Sequence, residues 1–95
     1  MKATVRDNSA QQRFELAVGD ALAIINYRRE GRFVGMTHVE VPVDLRGKGV
    51  GSTLVAGALA LVRQRGEKVA PLCSFVVRYI RWHPENEDLL ADGYD

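Results

Sequence analysis

One cysteine and almost no net charge mark this 95-residue chain, and each scarcity closes off a class of protein. With Cys73 as the sole cysteine, neither an internal disulfide nor a multi-thiolate zinc site can form, which suits a reducing compartment. Thirteen basic against twelve acidic side chains leave a formal charge of +1, so the chain as a whole has no field to attract nucleic acid or an anionic membrane. The longest apolar run, Leu54 to Val62, falls well short of the roughly 20 residues that a membrane-spanning helix requires. Met1 to Ala10 is polar and lacks the apolar stretch of a secretory leader. No internal repeat or low-complexity tract is present. The expectation is a single domain over residues 1–95, soluble and cytoplasmic, near the small end of what buries a self-sufficient core.

What is there reads as a succession of short elements. Arg13 to Val18 alternates charged and apolar residues at period two, as a half-buried strand does, and Gly19-Asp20 supplies a turn. Ala21 to Arg28, followed by Glu30-Gly31, reads as the second strand of an antiparallel hairpin. Phe33 to Val43 is long enough for two strands or one bent strand, with Gly35 expected to bulge or bend it and Pro42 to end the ladder. From Val50 to Arg65 the spacing turns helical, with Leu54, Val55, Ala58, Leu61 and Val62 on one face and Gly66 placed to stop it. Lys68 to Leu72 is a short strand interrupted by Pro71, Ser74 to Trp82 a second helix stopped before Pro84, and Glu85 to Ala91 a last helical turn. This order puts an antiparallel meander before one crossover, so the long helix returns the chain to a strand parallel to its predecessor.

The segment Arg46-Gly47-Lys48-Gly49-Val50-Gly51 falls between a strand end and a helix start, where backbone N–H groups can converge on an anion; a glycine-rich turn that serves the conformation of the helix entry alone is the plain alternative. Alternate glycines let the main chain turn tightly and approach a phosphate, the helix dipole adds partial positive charge, and Arg46 and Lys48 add more. Two other phosphate loops are excluded. A Walker loop needs four residues between its first glycine and Gly-Lys-Ser/Thr, and a dinucleotide fingerprint needs its third glycine one residue later and only one strand before it.

This loop resembles motif A of the GNAT N-acetyltransferase superfamily, whose pattern Arg/Gln-x-x-Gly-x-Gly/Ala is met by Arg46, Gly49 and Gly51. Thr37-His38-Val39-Glu40-Val41-Pro42, with Pro71-Leu72-Cys73 and His83-Pro84-Glu85, is similar more narrowly to a group of small GNAT-like proteins. The resemblance implies an α+β fold, an abbreviated mixed and mostly antiparallel sheet flanked by about two helices. It also implies that Arg46, Gly47, Lys48, Gly49, Val50, Gly51 and Ser52 hold the pyrophosphate of acetyl-CoA as cosubstrate, with Val41, Pro42 and Val43 beside its pantetheine arm. No metal is implied. Larger relatives place proline three residues before the arginine, where this chain has Val43. It also lacks room for the helices and strands that enclose the acceptor in those enzymes, so the acceptor groove is expected to be open or completed by a partner such as a second copy.

Acetyl transfer from a thioester to an amine needs the amine deprotonated, the carbonyl polarised and the departing thiolate stabilised. His38 and Glu40 share parity on the strand leading to the loop, so both project from one face, and either can accept a proton. Resemblance favours Glu40, because many GNAT enzymes keep a carboxylate on this strand; a solvated pair on an exposed face is the plain alternative. The resemblance implies that Cys73 ends the strand bordering the gap where the thioester sits, as acyl acceptor, acid or pocket lining; a small buried apolar residue is the plain alternative. Tyr79 is near where the family often places a tyrosine that protonates the thiolate, though a core tyrosine explains it as well. Arg78, Arg81, Trp82 and His83 form a basic, aromatic local surface that suits the adenine and 3′-phosphate of the cosubstrate or plain solvent. A cofactor-binding module without catalysis is the first alternative to an enzyme. An RNA-binding domain using Arg28, Arg29, Arg32 and Arg78 to Arg81 is the second, and the near-zero net charge argues against it.

Overall fold

Period-two alternation builds one five-stranded sheet, seen in a computed structural model that describes residues 4–94. Its strands are β1 (Val5–Asn8), β2 (Arg13–Val18), β3 (Ala21–Glu30), β4 (Phe33–Glu40) and β5 (Lys68–Pro71), in that spatial order. The first four are antiparallel neighbours, and β5 runs parallel to β4 after the crossover helix α1 (Val50–Gln64). Helix α2 (Ser74–Trp82) follows β5, and a 3₁₀ segment at Pro84–Leu89 leads to a bridge between Leu90 and Val69.

One sheet face carries Phe14, Leu16, Ala23, Ile25, Tyr27, Val34, Met36 and Val69, all buried, and α1 covers it with Leu54, Val55, Ala58, Leu59 and Val62. Leu59 occupies the fully buried place expected of Leu61, which is only half-buried. The helix stops as expected at Gly66, where the N–H of Gly66 donates to Arg63 O and that of Glu67 to Val62 O, the paired bonds of a left-handed helix end.

Two features of the sheet also depart from what the sequence predicts. The polar beginning forms an edge strand, β1, whose inward positions are Val5 and Asp7, opposite Leu16 and Phe14. Asp7 breaks the apolar alternation that would have marked a strand, yet it is satisfied there. It accepts a hydrogen bond from Tyr27 OH at 2.6 Å and an ion pair from Arg65 Nη1 at 2.6 Å, at the end of α1. Arg29 joins the cluster by pairing with Glu67, so this guanidinium is committed within the fold.

The bulge in β4 lies at Thr37 and not at Gly35. Asn26 faces His38 while Tyr27 faces Met36, leaving Thr37 as the extra residue. Gly35 stays in register between Arg28 and Ala70, where its missing side chain makes room for Leu72. The bulge has a consequence for the site. Val34 and Met36 point toward α1 before it, Val39 and Val41 pack on the core after it, and His38 and Glu40 therefore emerge on the opposite face.

Helix α1 approaches β1 through Gly57, where a Cβ would stand 2.3 Å from Val5 Cγ2 and 2.6 Å from Val5 Cβ. Alanine is better than glycine inside a helix by about 1 kcal/mol, but forcing a methyl into such a contact costs roughly 1–3 kcal/mol. The contact should win. Gly57→Ala is expected to lower the melting temperature by about 4–8 °C in a thermal unfolding scan, for a net loss near 1 kcal/mol. A rise instead would show that β1 adds nothing to the packing of the helix.

Candidate active site

The site forms where β4 and β5 part. Their ladder ends at Met36 and Pro71, with a last backbone bond from Leu72 N–H to Met36 O. Beyond that point β4 continues through the bulge to Glu40 while the other chain turns into α2, so the β4 edge from His38 onward has no strand partner on that side among the described residues. Pro42 cannot continue a ladder, and a single 3₁₀ turn at Val43–Leu45 redirects the chain into the glycine loop. Arg46 ties the loop to the strand by donating from Nε to Val41 O at 3.1 Å.

Gly47 and Gly49 take φ values of 79° and 78°, a region that L side chains rarely occupy, and this turns the chain into α1. Thr53 then closes on Gly49 O with both its N–H and its hydroxyl, each at 3.0 Å. The N–H groups of Val50, Gly51 and Ser52 precede that first closing bond, as orphan donors at a helix start do, and they carry the positive end of the helix dipole.

A cavity of about 530 Å³ lies over these donors, lined by the β4 edge from His38 to Val41, by Leu45, Arg46, Gly47, Gly49, Val50, Gly51 and Ser52, and by Phe75 of α2. The structure thus brings together His38, Glu40, Val41, Arg46, Gly47, Gly49, Val50, Gly51 and Ser52 of the expected site. Pro42, Val43 and Lys48 do not line it, and Val43 is 72% exposed. The 3₁₀ turn carries Pro42 and Val43 away from the strand edge, a deflection that residue order alone does not reveal.

His38 Nε2 and Glu40 Oε1 stand 3.9 Å apart, both largely exposed. Glu40 lies in a cross-strand row with Ile24 and Glu15. The Glu15 carboxylate is already bonded to Asn8 Nδ2 and Arg13 Nε, which hold its pKa below the ordinary carboxylate value. Glu40 has no such hydrogen bond, so of the two carboxylates in the row it is the one open to a ligand.

Cys73 and Tyr79 fall outside the cavity. Cys73 is the residue at the start of α2, half-buried against the core. Tyr79 lines a neighbouring cavity of about 350 Å³ with Ser52, Phe75, Arg78, Trp82 and His83. Its ring stacks on His83 at 4.0 Å, and His83 Nδ1–H donates to Tyr79 O at 2.9 Å. Burial, with the carboxylate of Glu85 adding to it, raises the Tyr79 phenol above its ordinary pKa. Arg81 belongs to a third, separate cavity with Tyr94.

Sequence reasoning missed three lining residues, Val39, Leu45 and Phe75. Each is apolar and reads as core, and no local signal marks any of the three, because the bulge that places Val39 beside an unpaired edge is set by pairing with β3. Among the described residues, no group of three or more His, Cys, Asp or Glu side chains converges to hold a metal ion, and no helix is long and apolar enough to cross a membrane.

Comparison with known proteins agrees with this architecture. Residues 13–89 match the family described as GCN5-related N-acetyl-transferase. A GCN5-like protein from Staphylococcus aureus, solved in solution by NMR, superposes with a TM-score of 0.70 at 23% identity, over 92% of this chain and 86% of that one. At that identity the likeness establishes the fold, a mixed α+β sheet with two main helices, as the resemblance implied. No curated protein matches the chain in sequence. The match over residues 13–89, together with the glycine loop at the start of α1 and the parting of β4 and β5, shows that the chain belongs to the GCN5-related N-acetyltransferase family.

Proposed function

We propose that this protein transfers an acetyl group from acetyl-CoA to a primary amine by direct attack. The observation that carries the reading is the course of the main cavity, which runs from the orphan donors at the start of α1 along the unpaired edge of β4 to His38 and Glu40. A diphosphate is suited to the helix start, where Val50, Gly51 and Ser52 present N–H groups. An arm rich in amides is suited to a strand edge whose backbone groups have no partner strand.

In this reading the amine nitrogen attacks the thioester carbon, the C–S bond breaks, and the amine proton passes to the Glu40 carboxylate directly or through water. His38, 3.9 Å away, is the second candidate acceptor. Cys73 does not line the cavity, which supports direct attack over a relay through an acetylated cysteine. Tyr79 lies in the adjoining cavity, past Phe75, and so a proton for the thiolate is taken from solvent.

The test is calorimetric titration of the protein with acetyl-CoA, coenzyme A and 3′-dephospho-coenzyme A. Saturable binding of acetyl-CoA, followed by acetylation of at least one amine in an acceptor screen, is expected. Binding without turnover of any amine would leave a binding module, and absence of heat at millimolar acetyl-CoA would remove the site assignment altogether.

A further inference from the structure

The glycines of the loop are glycine for different reasons. A Cβ at Gly47 or Gly49 would meet no protein atom within 4 Å, so within the protein it is their left-handed φ that calls for glycine. Gly51 has no positive φ. It is buried in the first turn of α1, and a Cβ there would stand 2.6 Å from Phe75 Cζ and 3.2 and 3.3 Å from its two Cε atoms. The Phe75 ring therefore rests on the helix backbone in the place a side chain would fill. With Ser52, the same ring lines both the main cavity and its 350 Å³ neighbour, so it is their common wall.

We infer that Phe75 is a binding residue for the slender arm that joins the phosphates to the thioester in acyl-coenzyme A, and that Gly51 is glycine to seat this ring. The inference rests on the acetyl-CoA reading of the main cavity. The arm alternates methylene pairs with amides. A flat apolar wall at Phe75 takes the methylenes, and the unpaired edge of β4, which lines the same cavity through Val39 and Val41, takes the amides. A methyl at position 51 would drive the ring off the helix and into the space where the arm lies.

Four proteins titrated with acetyl-CoA test this: wild type, Phe75→Leu, Gly51→Ala and the double variant. Leucine ends short of the atoms that crowd position 51, so it removes the wall and relieves the clash together. Phe75→Leu is expected to raise Kd by about fivefold, with KM following and kcat unchanged, and Gly51→Ala by about tenfold or more. The double variant should bind like Phe75→Leu, because without the ring the added methyl has nothing to displace. A double variant no tighter than Gly51→Ala would show that the added methyl obstructs the ligand directly, with no part played by the ring, and would overturn the inference, as would a wild-type Kd for Phe75→Leu. Phe75→Leu decides the matter if Gly51→Ala does not fold. Failure of the wild type to bind acetyl-CoA would instead overturn the underlying assignment of the cavity, and this inference with it.

Discussion

Glu40→Gln is expected to lower kcat for amine acetylation by about 10²-fold or more at neutral pH, with the Kd for acetyl-CoA unchanged. The substitution keeps shape and hydrogen-bonding atoms and removes the ability to take a proton at this position. Glu40 ends β4 on the face away from α1, with 64% of its side chain exposed, so neither packing nor stability should respond. The deficit should be deepest at low pH, where the amine is most protonated, and should shrink as pH rises toward the amine's own pKa. A steady-state rate profile against pH for wild type, Glu40→Gln and His38→Ala separates the two candidates. An unchanged rate for Glu40→Gln with a large loss for His38→Ala would move the proton acceptor to the imidazole; unchanged rates for both would remove the pair from the mechanism.

Gly49→Val should abolish measurable acetyl-CoA binding. Gly49 lines the cavity at φ 78°, and a β-branched residue held in that region costs roughly 1–2 kcal/mol before any ligand is considered. A Cβ there meets no atom within 4 Å, so the first atom of the side chain has open space. Strain and obstruction of the ligand can therefore be separated by a control. Gly19, in the turn between β2 and β3, has φ 60° and equally open space, and it lies outside the cavity. Gly19→Val should lose comparable stability in a denaturant titration and bind acetyl-CoA normally. Retained affinity in Gly49→Val would refute the assignment of the loop to the pyrophosphate.

Much of this was legible in residue order because the relevant forces act locally. Period-two runs marked β2 and β3, and apolar residues at helical spacing marked α1. The left-handed φ that stops α1 needs a glycine, and Gly66 supplies it. The loop from Arg46 to Ser52 was readable for the same reason, since a tight turn into a helix start demands glycines at fixed positions and exposes donors whatever surrounds it.

The rest depended on contacts between distant segments. β1 was hidden because its inward Asp7 looks like a loop residue until Tyr27 and Arg65, 20 and 58 positions away, satisfy it. The bulge at Thr37 was set by pairing with β3, and it alone decides that His38 and Glu40 face away from the core while Val39 and Val41 face it. Cys73 and Tyr79, neighbours of the site in the linear reading, are outside the main cavity because α2 turns its Phe75 into the gap instead. Sequence by itself determined β2 to β5, the crossover helix and the glycine turn that enters it, since backbone conformation and burial period are properties of a few consecutive residues. Which side chains line the cavity was decided by the tertiary structure, because a one-residue slip in strand register reverses every side chain beyond it, and no local segment encodes its partner's register.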